Sequence, residues 1–181
     1  SGNETMNRIF AIVLGVLAIA VIVVGASALF TVHQTQQALV LQFGEPKRVI
    51  KEPGLKVKIP FIQDVQYYEK RTLPLDPPRQ QVILIDQKRM DVDTFGRFRI
   101  EDPLRFFQTV GNETGARSRL SAIINSALRR VLGNVSLPQI LSDERQGLID
   151  QIRGEVNVEA NRLGIEIVEV RIRRADYPEE T

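Results

Sequence analysis

The chain has no cysteine and a single histidine, His33. No disulfide framework and no thiol chemistry are open to it. One imidazole and no thiolate exclude a structural zinc site and leave almost nothing from which to build a catalytic one. An excess of one charge is also missing: 24 Lys and Arg stand against 22 Asp and Glu, a formal net charge of +2. The two signs are mixed along the chain, as on a solvated surface, and do not form a nucleic-acid footprint.

The usual constellations of chemistry are missing too. Asp86, Asp91 and Asp93 lie close in sequence. Asp91 and Asp93 share one face of an expected strand, no calcium-loop glycine spacing follows, and the trio reads as a charged outer face. Ser118, Ser121 and Ser126 have no second histidine to activate them and no G-x-S-x-G around them. Gly111-Asn112-Glu113-Thr114-Gly115 lacks the lysine and the preceding apolar strand of a phosphate loop, and reads as a connection into a helix. Arg117, Arg119, Arg129 and Arg130 read as a solvated or subunit-facing helix face. The surrounding aromatics and the net charge give no support for nucleic acid there. The residues therefore offer no catalytic, cofactor-binding or metal set, and a non-enzymatic chain is expected.

What is present is one long run without charge, Ile9 to Val32, interrupted only by Gly15, Gly25, Ser27 and Thr31. As a helix it would reach about 36 Å, enough to cross a hydrocarbon core of about 30 Å with some tilt. The expectation is a transmembrane helix over 9–32, preceded by a short tail, 1–8, whose first residues stand ahead of Met6. Ala26-Ser27-Ala28 has the small-x-small form that a signal peptidase accepts. Against cleavage, the run is longer than a signal core of about 7–15 residues, and apolar residues continue beyond the site. Arg8 and the amino terminus precede the span, and no charge follows it until Glu45. This favours an N-terminus on the cytoplasmic side. His33 reads as the interfacial residue that closes the span.

Beyond the membrane the pattern is first that of strands. Gln37–Phe43, Lys56–Ile59, Val65–Glu69, Gln80–Ile85 and Met90–Ile100 are expected strands. The first three are separated by Gly44-Glu45-Pro46, Pro53-Gly54 and Pro60-Phe61. Met90, Val92 and Thr94 face oppositely to Asp91 and Asp93. The period then changes. Leu120, Ile123, Ile124, Ala127, Leu128 and Val131 make one face of a helix over 116–132 that Gly133 stops. Ser136-Leu137-Pro138-Gln139 has the form of a capping box opening a short helix. Ile149, Ile152, Val156, Ala160 and Leu163 stripe a longer helix over 143–163, with Gly164 as its stop. Ile165–Arg173 returns to strand, with Val168, Val170 and Ile172 on one face. The fold class is α+β. The expected parts are a β-rich lobe over 33–110, a helical α/β lobe over 111–175, and a polar tail over 176–181. The apolar turn Ile59, Pro60, Phe61, Ile62 is the candidate for dipping into the outer leaflet beside the anchor.

Four segments in order carry a resemblance: Gln37–Gly44 (QALVLQFG), Glu52–Phe61 (EPGLKVKIPF), Asp91–Pro103 (DVDTFGRFRIEDP) and Gly164–Arg173 (GIEIVEVRIR) followed by Pro178. Together they resemble the SPFH superfamily, which comprises stomatin, prohibitin, flotillin and the bacterial HflK and HflC proteins. PGLKVKIPFI and GIEIVEVRIR are most similar to the HflC branch. The resemblance implies a single-pass anchor in the bacterial inner membrane, with the SPFH domain on the periplasmic face. It also implies assembly with an HflK-like paralogue into a large ring or cage that restrains an FtsH-type membrane AAA protease, with no enzymatic activity of its own. Family members continue into a long Ala/Glu/Arg-rich helix, and this chain stops at Thr181 before such a run. A stomatin- or flotillin-like organiser of membrane lipid is the alternative.

Overall fold

The computed structural model describes residues 2–176, in two compact units, Ser1–Tyr67 and Tyr68–Thr181. The division expected near residue 110 therefore falls after Tyr67. The reason is a pairing distant in sequence. Strand β8 (Arg89–Ile100) pairs antiparallel with β9 (Ile165–Asp176) from Asp91 to Ile100, which places the middle strands of the chain with the helices.

The first unit opens with α1 (Gly2–Ser27), so residues expected as a tail already belong to the helix. Met6–Ser27 has a mean hydropathy of 3.1, and none of that span is buried. The helix stops earlier than the apolar run. The amide of Ala28 bonds the carbonyls of Val24 and Gly25, and Leu29–Val32 leaves as strand β1 with alternating exposure. Apolar content carried the expected helix to Val32. Alternation of Leu29 and Thr31 against Phe30 and Val32 ends it, because strand pairing buries one face and leaves the other open. β1 pairs antiparallel with β4 (Gly54–Val57). A three-stranded sheet of order β3-β2-β5 completes the unit, from β2 (Gln36–Gln42), β3 (Glu45–Ile50) and β5 (Gln63–Glu69). Its core is Phe30, Val32, Ala38, Val40 and Ile50, with Val65 packed against them.

In the second unit β8 is flanked by β6 (Leu73–Leu75) and β7 (Gln80–Ile83) on one edge and by β9 on the other. Met90, Val92, Thr94, Phe98 and Ile100 face inward from β8, in the phase expected for Met90, Val92 and Thr94. The helices are α2 (Pro103–Thr109), α3 (Glu113–Leu132), α4 (Leu137–Leu141) and α5 (Arg145–Arg162). The starts of α2, α3 and α4 each have a local cause. Asp102 accepts from the Arg105 amide, Asn112 from the Gly115 amide at 2.8 Å, and Gln139 reaches back to the Ser136 amide at 3.0 Å. Ile152, Val156 and Ala160 are fully buried on α5. One strand phase differs from expectation: Ile167 faces inward and Val168 outward. Phe98 pairs with Ile167 and Arg97 with Glu169, so Val168 is an extra bulge residue, and the alternation resets around it. The expected tail over 176–181 lies outside the described residues except for the backbone of Asp176.

Candidate membrane-contact site

The chain leaves α1 under a fixed geometry. The carbonyl of Ala28, directly after the helix, accepts the amide of Lys58 at 2.7 Å. Leu29 then pairs with Val57 and Thr31 with Leu55, and paired residues share a face of the ribbon. Phe30 and Val32 turn inward to the core. On the opposite face Leu29, Leu55 and Val57 remain 47%, 65% and 59% exposed. This open apolar face runs from the end of the helix into Ile59-Pro60-Phe61-Ile62.

The turn itself is held by its own backbone and one side chain. The Gln63 amide bonds the Ile59 carbonyl at 3.0 Å, and the Ile59 amide bonds Gln63 Oε1 at 2.9 Å. Phe61 sits at φ 65 and is 86% exposed. A bulky residue in the left-handed region costs about 1–2 kcal/mol, which an unconstrained glycine there would avoid. The ring is thus displayed at a local cost. Ile59 and Ile62 flank it, both exposed, and Pro60 is half-buried.

A second residue of the same kind stands nearby. Phe43, in the turn between β2 and β3, has φ 51 and is 81% exposed. The Gln63 side chain donates to Gln42 Oε1 at 3.4 Å, which brings the Phe43 turn and the Phe61 turn to one edge of the unit. Sequence reasoning placed Phe43 inside a strand. The signal for it was the Phe-Gly step, because Phe43 and Gly44 both take positive φ and form the turn one residue earlier than Gly44-Glu45-Pro46 implied.

The groups set aside at the sequence level have structural employment. Asp91 accepts from Gln81 at 3.3 Å, Asp93 lies 4.0 Å from Arg79, and Asp86 lies 3.5 Å from the Leu137 amide. Among the described residues no cluster of three metal-ligating side chains occurs. Arg117 folds over the Phe98 ring at 5.6 Å and bonds the Pro74 carbonyl, and Arg130 pairs with Glu155 at 2.9 Å. Two of the four arginines on α3 are thereby committed within their own unit.

The SPFH domain / Band 7 family profile matches residues 30–181, nearly everything beyond the helix. The chain belongs to that family. Curated relatives carry HflC and HflK names. Protein HflC of Buchnera aphidicola (Schizaphis graminum) is 26% identical over 96% of this chain and 62% of its own length. Protein HflK of Haemophilus influenzae is 27% identical over 91% of this chain and 40% of its own length. Modulator of FtsH protease HflC of Escherichia coli K12 is 28% identical over 78% of this chain and 45% of its own length. In each case the matched region spans less than two thirds of the relative. The family, the α+β class and the apolar N-terminal helix agree with what the sequence implied.

Proposed function

We propose that this SPFH chain is a membrane-anchored, non-enzymatic scaffold. In this reading it assembles with an HflK-like paralogue into a ring or cage and regulates an FtsH-type AAA protease. The observation that carries it is the kinship to proteins named as modulators of that protease, in a chain that opens with an apolar helix long enough to span a bilayer. The anchor lies in the bacterial inner membrane, N-terminus cytoplasmic and SPFH domain periplasmic. Structural roles for Asp86, Asp91 and Asp93 support a non-catalytic part. The contact with lipid is made by Ile59, Pro60, Phe61 and Ile62, joined by Phe43 and the open face of Leu29, Leu55 and Val57. An apolar edge that starts where the helix ends is best satisfied by the leaflet the helix has just crossed.

The same edge favours a second reading, a stomatin- or flotillin-like organiser of lipid domains, because its exposed surface meets lipid whether or not a protease is present. Native-nanodisc isolation followed by mass spectrometry separates the two. Recovery of an HflK-like subunit together with an AAA protease is expected. Recovery of homo-oligomer and lipid alone would replace the first reading with the second.

A further inference from the structure

Between α5 and β9 the second unit has an open cleft of about 600 Å³. Arg145, Ile149, Asp150 and Arg153 line it from the helix, and Glu169 to Ile172 from the strand. β9 is an edge: among the described residues its only strand partner is β8. Two side chains of α5 hold that edge. Asn157 takes both backbone polar groups of Ile167, and Arg145 Nη2 donates to the Ile172 carbonyl at 3.0 Å. From Arg145 to Asn157 the helix rises about 18 Å, and from Ile167 to Ile172 the strand extends about 17 Å. Helix and strand therefore run side by side and are tied at both ends.

What lies between the ties follows from strand alternation. In an antiparallel pair a residue turns its amide and its carbonyl both toward the partner strand or both away from it. The Ile172 carbonyl points to Arg145, away from β8, so the pair Thr94–Ile172 is of the second kind. The register is regular from there to Arg97–Glu169, so Val170, opposite Gly96, also turns its amide and carbonyl away from β8. The side chains of Val170 and Ile172 are buried in the core, and it is backbone that these two residues bring to the cleft. The Val170 amide, the Val170 carbonyl and the Ile172 amide remain to be paired. Ile149, half-buried, is the one apolar side chain that the helix sets beside them.

We propose that this cleft binds an extended, uncharged segment of a partner protein as an added strand on β9, with one apolar side chain of the segment over Ile149. The charges around the cleft select for neutrality. Arg145, Arg153 and Arg171 stand with Asp143, Asp150 and Glu169, and among them Arg153 lies 3.6 Å from Asp150 while Arg171 pairs with Glu169. A phosphate or a lipid headgroup meets no surplus cation there. A neutral polypeptide strand meets donor and acceptor alternating at the spacing of its own backbone. Asn157 and Arg145 each occupy the edge at one end, which limits the segment to about five residues. The inference goes beyond the assembly and protease reading, and it rests on neither the anchor nor the lipid contact.

The test follows amide hydrogen exchange of the full chain in detergent micelles, with the peptide acetyl-Ser-Thr-Val-Thr-Ser-amide as probe. The probe should slow exchange at Val170 and Ile172 about 10-fold when nine sites in ten are filled. The same peptide N-methylated at Thr, Val and Thr keeps its side chains but cannot donate from its centre, and should give no slowing. Ile149→Glu sets a carboxylate on the apolar floor without touching β9. It should abolish the slowing with an unchanged far-UV spectrum. No slowing at Val170 and Ile172 by the plain probe, or equal slowing by the methylated one, overturns the site on the native chain alone, whatever Ile149→Glu does to folding. Full slowing retained in a folded Ile149→Glu chain overturns the placement over Ile149. Slowing that appears without any probe as protein concentration rises would make the occupant a second copy of this chain, and overturns the partner-segment assignment.

Discussion

The carbonyl of Ala28 and the amide of Lys58 are joined at 2.7 Å, so the end of the apolar helix and the start of the Ile59–Ile62 turn are one structural point. The twenty-nine residues of chain between them fold back to make that bond, and the turn cannot drift from the helix end without breaking it. A buried or interfacial backbone bond of this kind contributes about 0.5–1.5 kcal/mol. Its larger effect is positional: Phe61 is held within a few residues of the point where the apolar helix ends.

That position can be read by fluorescence, because the chain contains no tryptophan. Phe61→Trp and Phe43→Trp each create a sole emitter. In bilayers both should emit at shorter wavelength than in denaturant and be quenched by lipids carrying a shallow nitroxide. Gln34→Trp, in the exposed turn after β1, should be quenched less than either. Equal quenching at all three positions would remove the case for a dipping edge.

Gly164 is the hinge point between α5 and β9, with φ +75, and its carbonyl receives the amides of Glu101 and Asp102. A Cβ there would stand 2.5 Å from the Asp102 carbonyl oxygen and 2.9 Å from the Phe106 nitrogen, both backbone atoms that cannot swing aside. Gly164→Ala should therefore lose about 1–3 kcal/mol from conformation alone, and more from the clash. The thermal midpoint followed by circular dichroism checks it. Gly154→Ala, where no atom lies within 4 Å, should hold or raise the midpoint.

Gly164 also shows what the sequence could say. A glycine after a striped helix is a stop signal, and it was legible, as were Gly133, the Ser136–Gln139 cap and the inward phase of Met90, Val92 and Thr94. These are local rules, each satisfied within a few residues. The strand β3 was not legible, since Glu45-Pro46-Lys47-Arg48 has neither β propensity nor alternation and is made a strand by its partner β2. The Val168 bulge was hidden because one extra residue is defined only against the facing strand. The exposed edge was half legible: Ile59–Ile62 stood out as an apolar turn. Phe43 needed the fold, which alone shows it displayed in a left-handed turn beside Gln63.

Tyr68 gives the second unit a signature at alkaline pH. Its hydroxyl donates to the Gly111 carbonyl at 3.0 Å, and its ring meets Phe106 edge-on with centroids 5.1 Å apart. Burial raises its pKa above the ordinary value of 10.0. The unfolded chain gives up this proton first, so the native state binds more protons above pH 10. Stability from this group is complete below that value and declines as pH rises through the folded one. Tyr68→Phe should lower stability at neutral pH by about 0.5–1.5 kcal/mol, through loss of the bond to Gly111, and should flatten the decline above pH 10. Denaturant midpoints at pH 8 and at pH 10.5 measure both effects. A decline as steep in the variant as in the native chain would assign it to other groups.

Asn157 on α5 treats β9 as a neighbouring strand would. Its Oδ1 accepts the Ile167 amide at 2.9 Å and its Nδ2 lies 3.4 Å from the Ile167 carbonyl. Among the described residues β9 pairs only with β8, so these groups belong to an edge that would otherwise stand open. An open edge recruits other strands, and one side chain here closes it at the residue just before the Val168 bulge. Asn157→Leu fills similar volume but leaves donor and acceptor unpaired beneath a helix, a cost of about 1–3 kcal/mol. Asn157→Asp keeps the acceptor and loses the donor, so its stability should fall between the two. The variants should separate in a second way, because only an unsatisfied edge promotes pairing between chains. Light scattering that rises with concentration for Asn157→Leu, and less for Asn157→Asp, is expected alongside the ordered denaturant midpoints. Midpoints that fall in the expected order without any rise in scattering would keep Asn157 as a stabilising contact and remove its role as an edge guard.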